Sequence, residues 1–221
     1  MVEVEATHVS TTEVDGIYKL VPYTERRNKW GVTTALGYSS YEPVYYEPNF
    51  LAVDFVDIYS TPEMPLIELQ ISIKRNMNFG SFGGELSVGI YQNDSDSPEL
   101  VDSSLQLIPV RLGAVLSLDT LSSEPMFVPY VSGGLYTMLY RESMEGNSHS
   151  GNTQVAPYMT AGVNILLDWL DRRAARTSYQ ESGIQSTYAY AQAYKLIESG
   201  DASDGDFSND VSWGAGVRVE F

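Results

Sequence analysis

The chain has no cysteine, two histidines, and 13 Lys and Arg against 29 Asp and Glu. Without cysteine there is no disulfide framework and no thiol chemistry. The shortage of basic residues leaves a formal net charge of -16. That is the wrong sign for a nucleic-acid partner, whose phosphates need a basic footprint. No run approaches the about 18 consecutive apolar residues of a membrane helix; the longest such stretch, Val163 to Leu170, is interrupted by Asn164 and Asp168. The start, Met1-Val2-Glu3, has neither the basic nor the apolar region of a signal peptide, so the sequence reads as a mature chain. With 221 residues it is most simply one domain, from 29 to 221, behind an arm of residues 1–28.

What is present is alternation. In the closing stretch Val211, Trp213, Ala215, Val217, Val219 and Phe221 are apolar, while Ser212, Gly214, Gly216, Arg218 and Glu220 between them are small or charged. A period of two marks a strand with one greasy face, and ending on Phe221 suits a strand whose apolar face meets lipid. The same rhythm runs through the chain. Trp30, Val32, Thr34, Leu36 and Tyr38 share one face of a first strand. Ile67, Leu69, Ile71 and Ile73 alternate with Glu68, Gln70, Ser72 and Lys74 in a second. Leu86, Val88 and Ile90 mark a third, with Glu85 inward, and a fourth sets Ile108 to Leu118 against Arg111, Gly113 and Ser117.

A fifth strand, Phe127 to Tyr140, has competing sets. We assign Val131, Leu135 and Leu139 outward and Tyr130, Tyr136 and Tyr140 inward. A sixth has Val155, Met159, Ala161, Val163, Ile165 and Leu167 outward. In a seventh, about Ile184 to Ile197, Thr187, Ala189, Ala191 and Ala193 oppose Tyr188, Tyr190, Gln192 and Tyr194. The connections after strands one, three, five and seven are long, polar and mostly acidic. Those after two and four are short, and the one after six, Asp168 to Glu181, breaks the rhythm. There Asp168 and Asp171 resemble an N-cap signal, and Leu170, Ala174, Ala175 and Tyr179 recur at helical spacing among Arg172, Arg173 and Arg176. This predicts a short helix at a membrane surface with its arginines near phosphates; an amphipathic connector packed under the barrel fits as well. Eight strands with long and short connections on opposite sides predict an all-β, eight-stranded antiparallel up-and-down transmembrane barrel with one short periplasmic-side helix. The arm reads as partly ordered, with an extra strand or lumen plug through Ile17 to Val21 as the alternative.

These features resemble small outer-membrane barrels of the OmpA-like and OmpW-like kind. The alternating segments carry the resemblance, together with Pro129-Tyr130-Val131-Ser132-Gly133-Gly134 and the ending Val217-Arg218-Val219-Glu220-Phe221. It covers about residues 29 to 221. It implies a bacterial outer-membrane location and a terminal Phe221 read by the barrel-assembly machinery. Leu167-Asp168-Trp169-Leu170-Asp171 with Ala174-Ala175-Arg176 is not part of the plain OmpA pattern. It looks like barrels of predatory and related bacteria, some of which form rings that enclose lipid.

Candidate chemistry is sparse. Glu68, Lys74, Glu85, Arg111, Arg218 and Glu220 point inward, where an eight-stranded lumen has room only for side chains, so opposite charges there are expected to pair. His149-Ser150 invites a hydrolase reading, yet no orienting third group is identifiable. Asp94, Asp96, Asp201, Asp204 and Asp206 lack the spacing of a calcium loop, and no metal or cofactor is expected. The smooth Thr187, Ala189, Ala191 and Ala193 stripe is expected to make oligomer or lipid contact, since small residues let backbones approach closely in a membrane. Trp169, Arg172, Arg173 and Arg176 form the periplasmic helix. The expected function is a non-enzymatic envelope protein that organises the outer membrane, homo-oligomeric, enclosing lipid, and partnered by membrane lipid and the assembly machinery. A narrow porin-like channel is the second reading, and a soluble lipid-binding barrel the third.

Overall fold

The computed structural model describes residues 11–14, 17–47, 55–59, 64–95, 103–144, 147–200 and 204–221. In chain order the elements are β1 (Thr11–Val14), β2 (Ile17–Leu20), α1 (Tyr23–Arg26), β3 (Trp30–Ser39), α2 (Phe55–Ile58), β4 (Met64–Met77) and β5 (Gly80–Asp94). There follow β6 (Ser103–Ser117), β7 (Phe127–Met144), β8 (Asn147–Asn152), β9 (Ala156–Leu166), α3 (Arg172–Ser182), β10 (Ser186–Leu196) and β11 (Ser212–Glu220). Eight strands close a ring in the order β3, β4, β5, β6, β7, β9, β10, β11, and β11 pairs back onto β3. Every pairing is antiparallel. Closure leaves no open strand edge around the ring, which a strand array in lipid requires. The closing seam runs past the last strand: the Phe221 N–H donates to the Val32 carbonyl at 2.8 Å.

The alternation decides which way each strand turns. Along β4 the exposed residues are Ile67, Leu69, Ile71 and Ile73, and the buried ones Glu68, Gln70, Ser72 and Lys74. The fifth expected strand falls the way its aliphatic set suggests: Val131, Leu135 and Leu139 lie outward, and Tyr130 and Tyr136 are buried. On β10 the rings of Tyr188, Tyr190 and Tyr194 turn inward, leaving Thr187, Ala189, Ala191 and Ala193 on the outer wall.

Inward glycines make room for these rings. A Cβ at Gly162 would stand 2.6 Å from the Tyr130 ring, so a larger residue there would displace it.

Two expectations need correction. The segment Glu142 to Asn152, expected as a polar loop, instead lengthens the wall: β7 runs to Met144 and β8 folds back onto it. Exposed polar residues form strand there because the neighbouring strand offers a ladder. The helix begins at Arg172, not at Asp168. Asp171 is its N-cap, accepting from the backbone N–H groups of Arg173 and Ala174 at 3.0 and 2.9 Å. Asp168 instead accepts the Thr187 N–H at 3.0 Å and pins the turn to β10. In the arm, β1 and β2 form a hairpin and the chain from Val21 to Arg27 docks into the barrel mouth.

Candidate functional site

The outer wall comes first, because it decides what surrounds the barrel. Isoleucine, leucine and valine side chains stand exposed on β3 to β7, among them Leu36, Ile73 and Leu112, the last at 65% of full exposure. Trp30, Phe82 and Phe127 flank this band at the end that carries Phe221, and Tyr38 and Trp213 at the other. A contiguous apolar belt of this extent has no solvated counterpart in soluble monomers. Aromatic girdles at both borders mark two membrane interfaces. The barrel spans a membrane in the manner of an outer-membrane barrel. Its short β4–β5 turn and the β6–β7 and β9–β10 connections then face the periplasm with Phe221, and the loops after β3, β5, β7 and β10 face outward.

Inside, two arginines organise the middle of the lumen. Arg111 pairs with Glu68, and its Nε donates to Ser87 Oγ at 2.9 Å. Its guanidinium lies between the rings of Tyr158 and Tyr194, 5.1 Å from each centroid. Arg218 repeats the arrangement one layer nearer the periplasm. It donates to Asn164 Oδ1 at 3.1 Å and Gln70 Oε1 at 2.9 Å, with the Tyr130 and Tyr190 rings at 4.5 and 5.0 Å. Gln70 Nε2 donates in turn to Glu68 at 3.4 Å, which joins the two layers. A guanidinium suits this position because its edge donates to carboxylate and amide oxygens while its faces stack on rings. Among the described residues neither Arg218 nor Glu85 has an opposite charge within ion-pair distance, although both are buried.

At the periplasmic mouth the arm supplies what the strands lack. Lys74 and Glu220 approach to 3.6 Å, and the Tyr23 hydroxyl donates to Glu220 at 2.9 Å from above them. Burial, with Glu220 and Asp119 beside it, pushes the Tyr23 phenol far above its ordinary range, so it acts only as a neutral donor. Arg27 pairs with Asp119 at 2.7 Å, and Ser81 donates to the same carboxylate at 2.6 Å. Arg26 donates to the Val21 and Gln185 carbonyls at 2.7 and 3.0 Å and pairs with Glu124 at 3.1 Å. Sequence reasoning missed Tyr23, Arg26, Arg27 and Asp119. The available signal was an aromatic and two arginines next to the first strand of a lumen rich in acids.

The outer mouth is closed by different chemistry. Leu66, Leu105, Leu107, Tyr136 and Met138 face inward from the strands, and Tyr41, Tyr46, Phe55, Tyr59 and Phe207 come down on them from the loops. Tyr46 stacks on Phe207 at 4.5 Å, and the Tyr41 hydroxyl donates to the Phe207 carbonyl at 2.8 Å. The polar lumen expected from the sequence therefore holds only for the periplasmic half. Above Glu68 the interior is an aromatic core.

The remaining candidates stay apart. His149, on β8, approaches the Tyr140 hydroxyl at 3.3 Å, with no orienting third group among the described residues; His8 lies outside them. Asp204 accepts from the Gln154 N–H and the Ser199 hydroxyl at 2.6 and 2.7 Å, and Asp206 from the Ser208 N–H at 2.9 Å, so both act as loop caps. Asp96 and Asp201 lie outside the described residues. Among the described residues no cluster of three metal-ligating side chains occurs.

On the outer wall, register sets Ala193 beside Ala161, and Ala191 between Val163 and Ala215. The small-residue surface thus spreads over β9, β10 and β11. Below it, the arm, the mouth and α3 enclose a groove of about 710 Å³, lined by Leu20, Pro22, Leu166, Trp169 and Ala175 together with Arg172, Arg173 and Arg176. Arg26, Glu124 and Asp168 form its inner end. Burial raises the Asp168 carboxyl above the ordinary carboxylate value, against the Thr187 N–H and Arg26, which favour its charged form.

No family model matches the chain, and no curated protein matches it. Solved structures do. The N-terminal β-barrel domain of Pseudomonas aeruginosa OprF is 14% identical, with 88% of this chain and 98% of that one covered and a TM-score of 0.44. Ail, the attachment invasion locus protein of Yersinia pestis, is 13% identical over 87% and 97%, with a TM-score of 0.46. OprG from Pseudomonas aeruginosa is 11% identical over 87% and 95%, with a TM-score of 0.47. The likeness is a loose one of architecture.

Proposed function

We propose that this chain is a non-conducting, non-enzymatic barrel that organises the outer membrane through its outer wall and assembles with copies of itself. The filled lumen carries the reading. From Tyr23 to Phe207 every layer of the interior is occupied: arm, Lys74–Glu220, Arg218, Arg111, aromatic core. An eight-stranded barrel has no width to spare for water beside such side chains, so function moves to the surfaces.

Of those surfaces the β9–β10–β11 wall differs most from the rest. Elsewhere the wall carries large aliphatics; here Ala161, Ala189, Ala191, Ala193 and Ala215 leave the backbone nearly bare. Close backbone approach is how membrane interfaces gain dispersion contact without a hydrophobic driving force. If successive copies meet in a ring, the same wall would surround lipid. Phe221, exposed at the periplasmic edge, is the residue an assembly factor would engage.

Ala189→Cys and Ala191→Cys test the assembly. In native membranes the reading expects intermolecular disulfides at these positions and none at Ile71→Cys on the opposite wall. Equal crosslinking at both walls, or at neither, refutes it. Planar-bilayer recording separates the narrow-channel alternative: steady single-channel steps from the intact protein would show an open path.

A further inference from the structure

We infer that the groove between α3 and the arm binds the phosphate headgroup of an anionic phospholipid from the periplasmic leaflet. The inference needs the barrel to sit in a membrane but not to oligomerise. Three observations carry it. The groove is a formed cavity of about 710 Å³, within the range of small-molecule sites. Its walls divide by chemistry: Leu20, Trp169 and Ala175 offer apolar surface, and Arg172, Arg173 and Arg176 line the same space. Arg172 and Arg173 are exposed, and neither has a carboxylate within ion-pair distance among the described residues.

That last point matters in a chain of net charge -16. The carboxylates at the groove's inner end are already committed, since Glu124 and Asp168 both face Arg26, at 3.1 and 3.9 Å. Arg172 and Arg173 are left for an external anion. The occupant should also be amphiphilic, because Trp169 and Leu170 are half or more exposed where β9 leaves the lipid belt. A lipid whose tail lies along the belt can place its phosphate on the arginines without leaving the membrane. Guanidinium groups favour phosphate through paired N–H donors.

The test uses the full chain in nanodiscs of mixed phosphatidylcholine and phosphatidylglycerol, followed by gentle delipidation and native mass spectrometry. The expected result is phosphatidylglycerol retained in preference to phosphatidylcholine. Arg172→Gln, Arg173→Gln and Arg176→Gln combined should weaken retention about a hundredfold, as three losses of roughly fivefold per basic residue near a lipid surface. Ala175→Trp, which fills the groove and keeps every charge, should weaken it comparably. Heat-modified gel migration verifies that each variant is folded.

Three outcomes would overturn the inference. One is equal retention of the two lipids; another is unchanged retention in both variants. A third is full displacement by free glycerol phosphate, which would assign the site to a soluble anion. An intramolecular disulfide between Arg173→Cys and Glu5→Cys in the lipid-embedded protein would also overturn it, by giving the groove to the chain's own N-terminal residues.

Discussion

Substituting Glu68 by Gln should be among the most costly single changes in the barrel. Glu68 and Arg111 are 3 % exposed each, and they form an ion pair. Glu68→Gln preserves shape and removes the charge, leaving Arg111 with Ser87 Oγ and two tyrosine faces. Those faces offset part of the loss, at about 0.5–2 kcal/mol each for a guanidinium near 5 Å from the ring centroid, but they are present before and after the change. Breaking one partner of a buried pair costs about 3–5 kcal/mol because the other charge is stranded. Glu68→Gln and Arg111→Met should each fall in that range.

The double variant Glu68→Leu/Arg111→Met should instead lie within about 1 kcal/mol of the parent or above it, since replacing a buried pair by apolar groups removes two desolvation costs together. Arg111 sharpens this, for its Nη1 has no hydrogen-bond partner among the described residues even in the intact barrel. The assay is urea unfolding in phospholipid vesicles read by tryptophan fluorescence. All three tryptophans, Trp30, Trp169 and Trp213, are exposed on the outer surface and report loss of lipid contact. Single variants costing under about 1 kcal/mol would refute the dry, filled lumen on which the rest depends, because only water could relieve the stranded charge so cheaply.

Other consequences concern the periplasmic end. Asp171→Ala removes the α3 cap and should cost about 1 kcal/mol, seen as faster amide exchange in Arg173 and Ala174 with the barrel strands unchanged. Gly183 closes the same helix at φ 71°, so Gly183→Val should fray its last turn by about 1–2 kcal/mol, measured the same way. Asp168 holds its proton more tightly folded than unfolded, so it lowers stability as pH rises from its ordinary value of 3.8 through its raised one. Limited proteolysis of residues 167–186 should therefore quicken over that window, and Asp168→Asn should abolish the dependence while its amide oxygen still accepts the Thr187 N–H. Tyr23→Ala should loosen the arm, raising its proteolysis, without producing conductance in planar bilayers; steady channel steps would mean that the Arg218 and Arg111 layers leave a path.

The wall was legible in the sequence because lipid imposes a rule on every second residue, and Ile67 to Ile73 or Leu86 to Ile90 state it without competition. Even β7, where tyrosines and leucines compete, resolves by that rule: aliphatics tolerate hydrocarbon on all sides, whereas a phenol there would lack a hydrogen-bond partner. The lumen charges were legible for the complementary reason, as ions on the inner face have nowhere else to go. The mouths were not. Tyr41, Tyr46 and Phe207 sit in acidic segments that read as solvated loops, and only the meeting of two loops far apart in the chain, after β3 and after β10, buries them. Tyr23 and Arg26 likewise meet partners at Glu220, Glu124 and Gln185, about a hundred residues or more away along the chain, which no local period encodes.

The two mouths differ because their lids differ. The outer strands project beyond the belt, with β5, β6 and β7 of 15, 15 and 18 residues against 10 for β3. The long loops above them can bring enough aromatic surface to exclude water, and an apolar plug is then the stable solution. At the periplasmic mouth the docked segment, Val21 to Arg27, brings a single buried ring, Tyr23, rather than a second aromatic core. That mouth is closed instead by charges that the acidic strand ends already present, and Arg26 and Arg27 answer Glu124 and Asp119. Using those two arginines as a stopper leaves Arg172 and Arg173 of α3 outside it, with no acid opposite them among the described residues. The charge balance of the closure is thus the reason a cationic groove persists at this rim.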